Sequence, residues 1–272
     1  MRHGLHLPNF GDFADPRVVA DVARVADESG WDGVFVWDHV RPQLAPGDAP
    51  PTADVTVLLT AIALATSRVR FGALVTPLSR RRPAKVARET ATLDRLSGGR
   101  LVVGVGLGNP PDAELADLGE EADPVVRGAM LDEALDVLAG LWSGEPVRHR
   151  GRHFTVEDVR FAPTPLQRPR PPVWVAATWP GHPRPLRRAA RWDGVVPISS
   201  DIEGQALLTP EEVAAVRAAV GRYDVGFAVV ASGVAGADPA PYAEAGATWW
   251  LELPFSAEQA LERARRRPAR VP

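Results

Sequence analysis

Short apolar runs alternate with longer amphipathic segments along the whole chain. Residues 3–7 form a compact strand candidate. Asp15-Pro16 then opens a segment in which Val18, Val22 and Val25 recur at helical spacing, and Gly30 ends it. An aspartate N-cap, a proline at the first helical position and a terminal glycine are the expected punctuation of a helix. A β-rich apolar run over 33–37 and a proline-rich loop over 41–51 come next. The same reading predicts a helix over 54–66, a strand over 70–75, a helix over 83–96 and a strand over 101–105. A long helix over 125–142 carries Leu131, Leu135, Leu138 and Leu141 on one stripe. A small hairpin around Gly151 (146–156) and a proline-dense linker (163–172) interrupt the rhythm. It resumes with strands over 173–177, 194–198, 225–230 and 248–253. Helices are expected near 185–191, over 210–220 and 239–245, and from Ser256.

These segments make eight strand-then-helix units. Strands that are apolar almost throughout belong to a parallel sheet covered on both faces. A closed barrel and an open doubly wound sheet both satisfy that rule, and eight units favour the barrel. The expected architecture is therefore α/β, a (β/α)8 TIM barrel, with residues 1–272 as one domain and the 146–156 hairpin as an excursion. The helix-to-strand joints repeat, since Gly30-Trp31-Asp32-Gly33-Val34 is echoed by Arg191-Trp192-Asp193-Gly194-Val195.

Composition narrows the function classes. The chain has 272 residues, 45 % of them hydrophobic, and a formal charge of −3, which leaves no basic footprint for nucleic acid. There is no cysteine, so disulfides and thiolate chemistry are out of reach. No apolar run is long enough for a bilayer span, and a cytoplasmic protein is expected. The six histidines show no ligand-spaced pair on one helix face, so no metal site is expected. Lys85 is the only lysine; every other cation is an arginine.

In a parallel barrel the C-terminal ends of the strands carry the chemistry. The sequence places Asp38-His39, Thr76-Pro77, Gly106-Leu107-Gly108-Asn109, Thr178-Trp179, Ser199-Ser200-Asp201 and Glu252 there. His39 suits proton transfer at neutral pH, with Asp38 to orient it or keep it charged. An exposed loop pair is the competing reading. Gly104-Val105-Gly106-Leu107-Gly108 fails the dinucleotide spacing, because Asn109 stands where a glycine is required. It serves either close approach of a flat ring or a simple strand bulge. Arg80-Arg81-Arg82 precedes a helix N-terminus, where cations oppose the macrodipole unless an anion or nearby carboxylates compensate. One tryptophan of Trp249-Trp250 should face the lumen and the other the helices. Trp179, at a strand end, is the candidate for stacking.

These residues resemble a known family. The run from Gly30 to His39 is similar to the second-strand end of luciferase-like oxidoreductases, especially the coenzyme F420-dependent branch. The segment 69–108, through Leu74-Val75-Thr76-Pro77 and Ser97-Gly98-Gly99-Arg100, resembles that family's core. Pro172 to Ala177 with Ala190 to Gly194 looks like its phosphate-side segment. The resemblance covers most of residues 1–200. It implies an F420-dependent oxidoreductase acting on a small-molecule substrate, with an FMN-dependent monooxygenase as the alternative. A cofactor-binding barrel without turnover is the reading from another class. It further implies a homodimer. His39 is implied as the proton-transfer group. Leu74 and Val75 are implied to support the ring within a bulge bearing a non-proline cis peptide. Thr76, Gly106, Gly108 and Asn109 are implied at the ring's edge, and Ala177, Thr178 and Trp179 at the phosphate end. Several deazaflavin-dependent dehydrogenases carry glutamate where Asn109 stands, so acid chemistry is not expected from that position.

Overall fold

The computed structural model describes residues 1–42, 47, 49–201 and 207–268. Part of the expected 41–51 loop therefore lies outside the described residues. In chain order the elements are β1 (Arg2–Leu7), α1 (Pro16–Ser29), β2 (Gly33–Val36), α2 (Val55–Ala65), β3 (Arg70–Ala73) and β4 (Thr76–Pro77). They continue with α3 (Pro83–Leu96), β5 (Val103–Gly106), α4 (Pro111–Glu114), α5 (Pro124–Ser143), β6 (Val147–Arg150) and β7 (Thr155–Val159). The rest are β8 (Val173–Trp179), α6 (Pro183–Ala189), β9 (Gly194–Ser199), α7 (Pro210–Val220), β10 (Ala228–Val234), α8 (Ala240–Glu244), β11 (Trp249–Leu253) and α9 (Ala257–Arg265).

Nine parallel strands pair in the order β3-β2-β1-β11-β10-β9-β8-β5-β4. The two ends of that order, β3 and β4, are successive pieces of one strand. The Val102 amide also donates to Phe71 O at 2.8 Å, which joins the β3 side to the β5 side. The sheet therefore closes into a barrel of eight strand positions. The 146–156 hairpin appears as the antiparallel pair β6-β7.

Side-chain alternation sorts two cores. The lumen holds Phe35, Leu74, Val102, Trp174, Val196, Ala228, Val230, Trp249 and Leu251. Phe35, Trp174 and Trp249 plug it, with ring centroids 5.3–5.5 Å apart. Burial of each such ring stabilises by roughly 1.5–3 kcal/mol. Trp250 faces the helices and packs on Tyr242 at 4.8 Å. The two tryptophans thus divide between the faces as expected.

The repeated Trp-Asp-Gly joints do the same job twice. Asp32 Oδ2 accepts from the His3 amide, and Asp193 Oδ2 from the Val173 amide, both at 2.8 Å. Each carboxylate thereby caps the N-terminal end of a neighbouring strand. The glycines that follow leave room for lumen rings: a Cβ on Gly33 would lie 2.9 Å from Trp249, and one on Gly194 2.8 Å from Trp174.

Three strand expectations need correction. The strand expected over 70–75 stops at Ala73 and resumes at Thr76, because Leu74 and Val75 both turn toward the lumen. Consecutive residues of a regular strand cannot share a face, so this is a bulge. The Leu74–Val75 peptide within it is cis. The strand expected over 225–230 begins at Ala228: Phe227 N closes a turn onto Asp224 O, Gly226 has φ +108°, and Val225 is fully exposed. β8 runs two residues beyond its expected end, to Trp179.

Candidate active site

Because the barrel strands are all parallel, their C-terminal ends gather at one mouth. Asp38 and His39 follow β2, Thr76 begins β4, Gly108 and Asn109 follow β5, and Thr178 sits near the end of β8. His39 and Thr76 follow neighbouring strand positions, each beyond the last β2–β3 pair, Val36 with Ala73.

His39 is held twice. Fully buried Asn9 clamps its backbone, donating from Nδ2 to His39 O at 2.7 Å and accepting from His39 N at 3.1 Å. The second Nδ2 hydrogen goes to Ala53 O at 2.9 Å. The imidazole Nδ1 lies 2.9 Å from Oε1 of Glu114, whose side chain is 1 % exposed. Glu114 also accepts from the amides of Val40 and Arg41 and from Arg80 Nη1 at 2.6 Å. Burial alone would push this carboxyl up. The His39 and Val40 hydrogen bonds and the Arg80 charge outweigh it and hold Glu114 below the usual carboxylate range. An ionised Glu114 accepts a hydrogen bond from Nδ1–H, which leaves Nε2 for chemistry. Nε2 has no partner among the described residues, and the ring is 26 % exposed.

Asp38, expected to orient His39, turns away from it. Its carboxylate accepts from Arg80 at 2.8 Å and from Arg81 at 3.0 Å. Neighbouring residues leaving a strand point to opposite sides, so one carboxylate cannot follow both directions. The orienting group is Glu114, which the sequence reading missed. Arg80 and Arg81 are accordingly compensated by protein carboxylates, and a ligand anion is not needed to balance them. Only Arg82 of the trio is exposed.

Thr76, Asn109 and Thr178 have side chains without a hydrogen-bond partner among the described residues, and Asn109 and Thr178 are exposed. Gly104 and Gly106 let β5 press against the bulge. A Cβ on Gly104 would lie 2.2 Å from Ala73 O, and one on Gly106 2.5 Å from Val75. The bulge is also tied from below, where buried His6 donates from Nε2 to Leu74 O at 3.0 Å. Burial pushes the His6 imidazole down to about 4, so it stays a neutral donor. Trp179 does not stack in the mouth: with Ala177 it belongs to the layer between sheet and helices, so these two reach the mouth only through their backbone.

The model of the luciferase-like monooxygenase family matches residues 2–271. The chain belongs to that family. Among family relatives, the F420-dependent glucose-6-phosphate dehydrogenase of Segniliparus rotundus is 31% identical over 90% of this chain and 72% of its own. That of Kineococcus radiotolerans is 34% identical over 71% of this chain and 56% of its own. That of Microbacterium testaceum is 32% identical over 64% and 51%. The matched part thus spans about half the length of most of these curated relatives. The coenzyme F420-dependent tetrahydromethanopterin reductase of Methanopyrus kandleri superposes with a TM-score of 0.75 at 16% identity over 97% of each chain, which supports the barrel. The monooxygenase RslO1 of Streptomyces bottropensis superposes at 0.70 and 26% identity over 98% of this chain and 78% of its own.

Proposed function

We propose that this chain is an F420-dependent oxidoreductase acting on a small organic substrate. The observation that carries the reading is His39, pinned through Nδ1 by buried, ionised Glu114 and presenting a free Nε2 at the mouth of a luciferase-like barrel. The names of the curated relatives support F420 over FMN.

The residues present fit such a cofactor. The Leu74–Val75 bulge offers an apolar support, and Thr76, Asn109 and Thr178 offer unspent polar groups for a heterocycle's edge. The glycine backbone at Gly106 and Gly108 and the backbone at Ala177 and Trp179 border the same mouth. When bound, F420 gives a hydride to the substrate or takes one from it. His39 Nε2 supplies or removes the matching proton at the substrate atom, and Glu114 fixes the tautomer and balances the imidazolium. The lumen plug of Phe35, Trp174 and Trp249 closes the floor to water.

Fluorescence titration of the purified chain with F420 and with FMN tests the assignment: saturable F420 binding without FMN binding is expected, and the reverse overturns it. FMN binding would favour the oxygen-activating alternative, to which the likeness to RslO1 gives some support. His39→Ala should retain F420 while turnover of F420H₂ against enones, imines and quinones falls at least ~10²-fold. A homodimer in the cytoplasm is part of this reading, and sedimentation velocity checks the dimer. No helix among the described residues is long and apolar enough to cross a membrane.

A further inference from the structure

We infer that the substrate subsite beside His39 is an aromatic wall built for a neutral, apolar, planar molecule rather than a phosphorylated sugar. The inference rests on the reading of His39 as the proton-transfer group.

The wall is made by three adjacent strands. β11, β1 and β2 are neighbours in the barrel, and the residues just past their C-terminal ends include Phe255, Phe10 and Trp37. Trp37 is the hub. Its ring centroid lies 5.7 Å from Phe10, 5.7 Å from His39 and 6.5 Å from Phe255, all in tilted or edge-on arrangements. Phe10 also meets the His39 ring at 6.1 Å. The proposed proton donor is therefore one edge of a continuous aromatic surface. That surface is open at its rim, since Phe255 is 58% exposed and Trp37 half-buried, while Phe10 is buried behind them. A contiguous exposed apolar patch is costly in water, and one that ends on a reactive imidazole is explained by a ligand that covers it.

The charges on this side point the same way. A phosphate dianion needs arginine or lysine side chains that are free to pair with it. Arg80 and Arg81 are spent on buried Asp38 and Glu114, and Arg263 on Glu252, while Arg41 pairs with Asp117 at the surface and exposed Arg82 makes no ion pair among the described residues. A phosphate laid against Trp37 and Phe255 would lose water to aromatic rings, with the arginines beside His39 already paired. A flat uncharged ring would gain stacking area.

The test uses 2-acetonaphthone and glucose 6-phosphate as probes, each titrated with and without F420 and read by saturation-transfer NMR. The proteins are the wild-type chain, Phe255→Ala and Trp37→Leu, and F420 affinity is measured separately by fluorescence. Saturable binding of 2-acetonaphthone, weakened about tenfold by Phe255→Ala, is expected. Glucose 6-phosphate should show no saturable binding at millimolar concentration. Saturable glucose 6-phosphate binding overturns the inference, as does 2-acetonaphthone binding that is absent or indifferent to both substitutions. If F420 fails to bind while the naphthone still binds through Phe255, the wall stands and the assigned activity falls. Phe255 is exposed, so its truncation leaves the fold intact; Trp37→Leu keeps an apolar residue at the hub.

Discussion

At His39 the work is divided: Asn9 fixes the backbone, Glu114 fixes the ring, and one nitrogen remains free. Glu114→Gln should therefore lower turnover by at least ~10²-fold, because the amide neither fixes the Nδ1–H tautomer nor balances a charged ring. F420 affinity, read by fluorescence, should stay within a few-fold. Arg80→Ala should cost about 3 kcal/mol in urea denaturation, because it removes a shared cation from buried Asp38 and Glu114, which keep only Arg81 and the His39, Val40 and Arg41 contacts. His39 itself was legible in the sequence, since it follows an apolar strand directly. Its partner was not. Glu114 comes from 75 residues away on a four-residue helix too short to show any period. Three adjacent arginines before a helix signalled only that a ligand anion or nearby carboxylates would have to compensate them.

At the scale of elements, helices with chemical punctuation were readable to the residue. α3 spans the expected 83–96, and α7 spans 210–220 behind the Thr209–Glu212 capping box. Strand ends were harder, because valine serves a turn and a strand alike: Val225 lies in water and Val229 in the core. The glycines of β5 were read as permitting a ring or a bulge. In the structure they accommodate the bulge of the neighbouring strand. Gly104→Ala should accordingly push on Ala73 and Leu74, costing roughly 1–3 kcal/mol by thermal or chemical denaturation. F420 affinity should fall with it, whereas Gly119→Ala, in open space but at φ +77°, should cost some stability and leave that affinity unchanged.

For the whole molecule, acid should act in two stages. Burial lowers both His3 and His6, so below about pH 6.5 the unfolded chain takes up protons that the folded chain refuses. Stability is lost as pH falls from there toward about 4, and His6 alone accounts for about 3 kcal/mol. Asp27, Glu114 and Glu133 are held low by hydrogen bonds and charges, so their contribution goes next, as pH drops below the ordinary carboxylate range. Urea midpoints measured from pH 7 to 4 should decline throughout, and His6→Gln should flatten the upper stage only. The ring of strands has its seam where one strand is cut in two, β3 fastened to one side and β4 to the other. Whatever molecule settles on Leu74 and Val75 rests on that seam and acts as a clasp. Filling the mouth should then steady the seam, so amide exchange at Leu74 and Val75 should slow when a ligand binds.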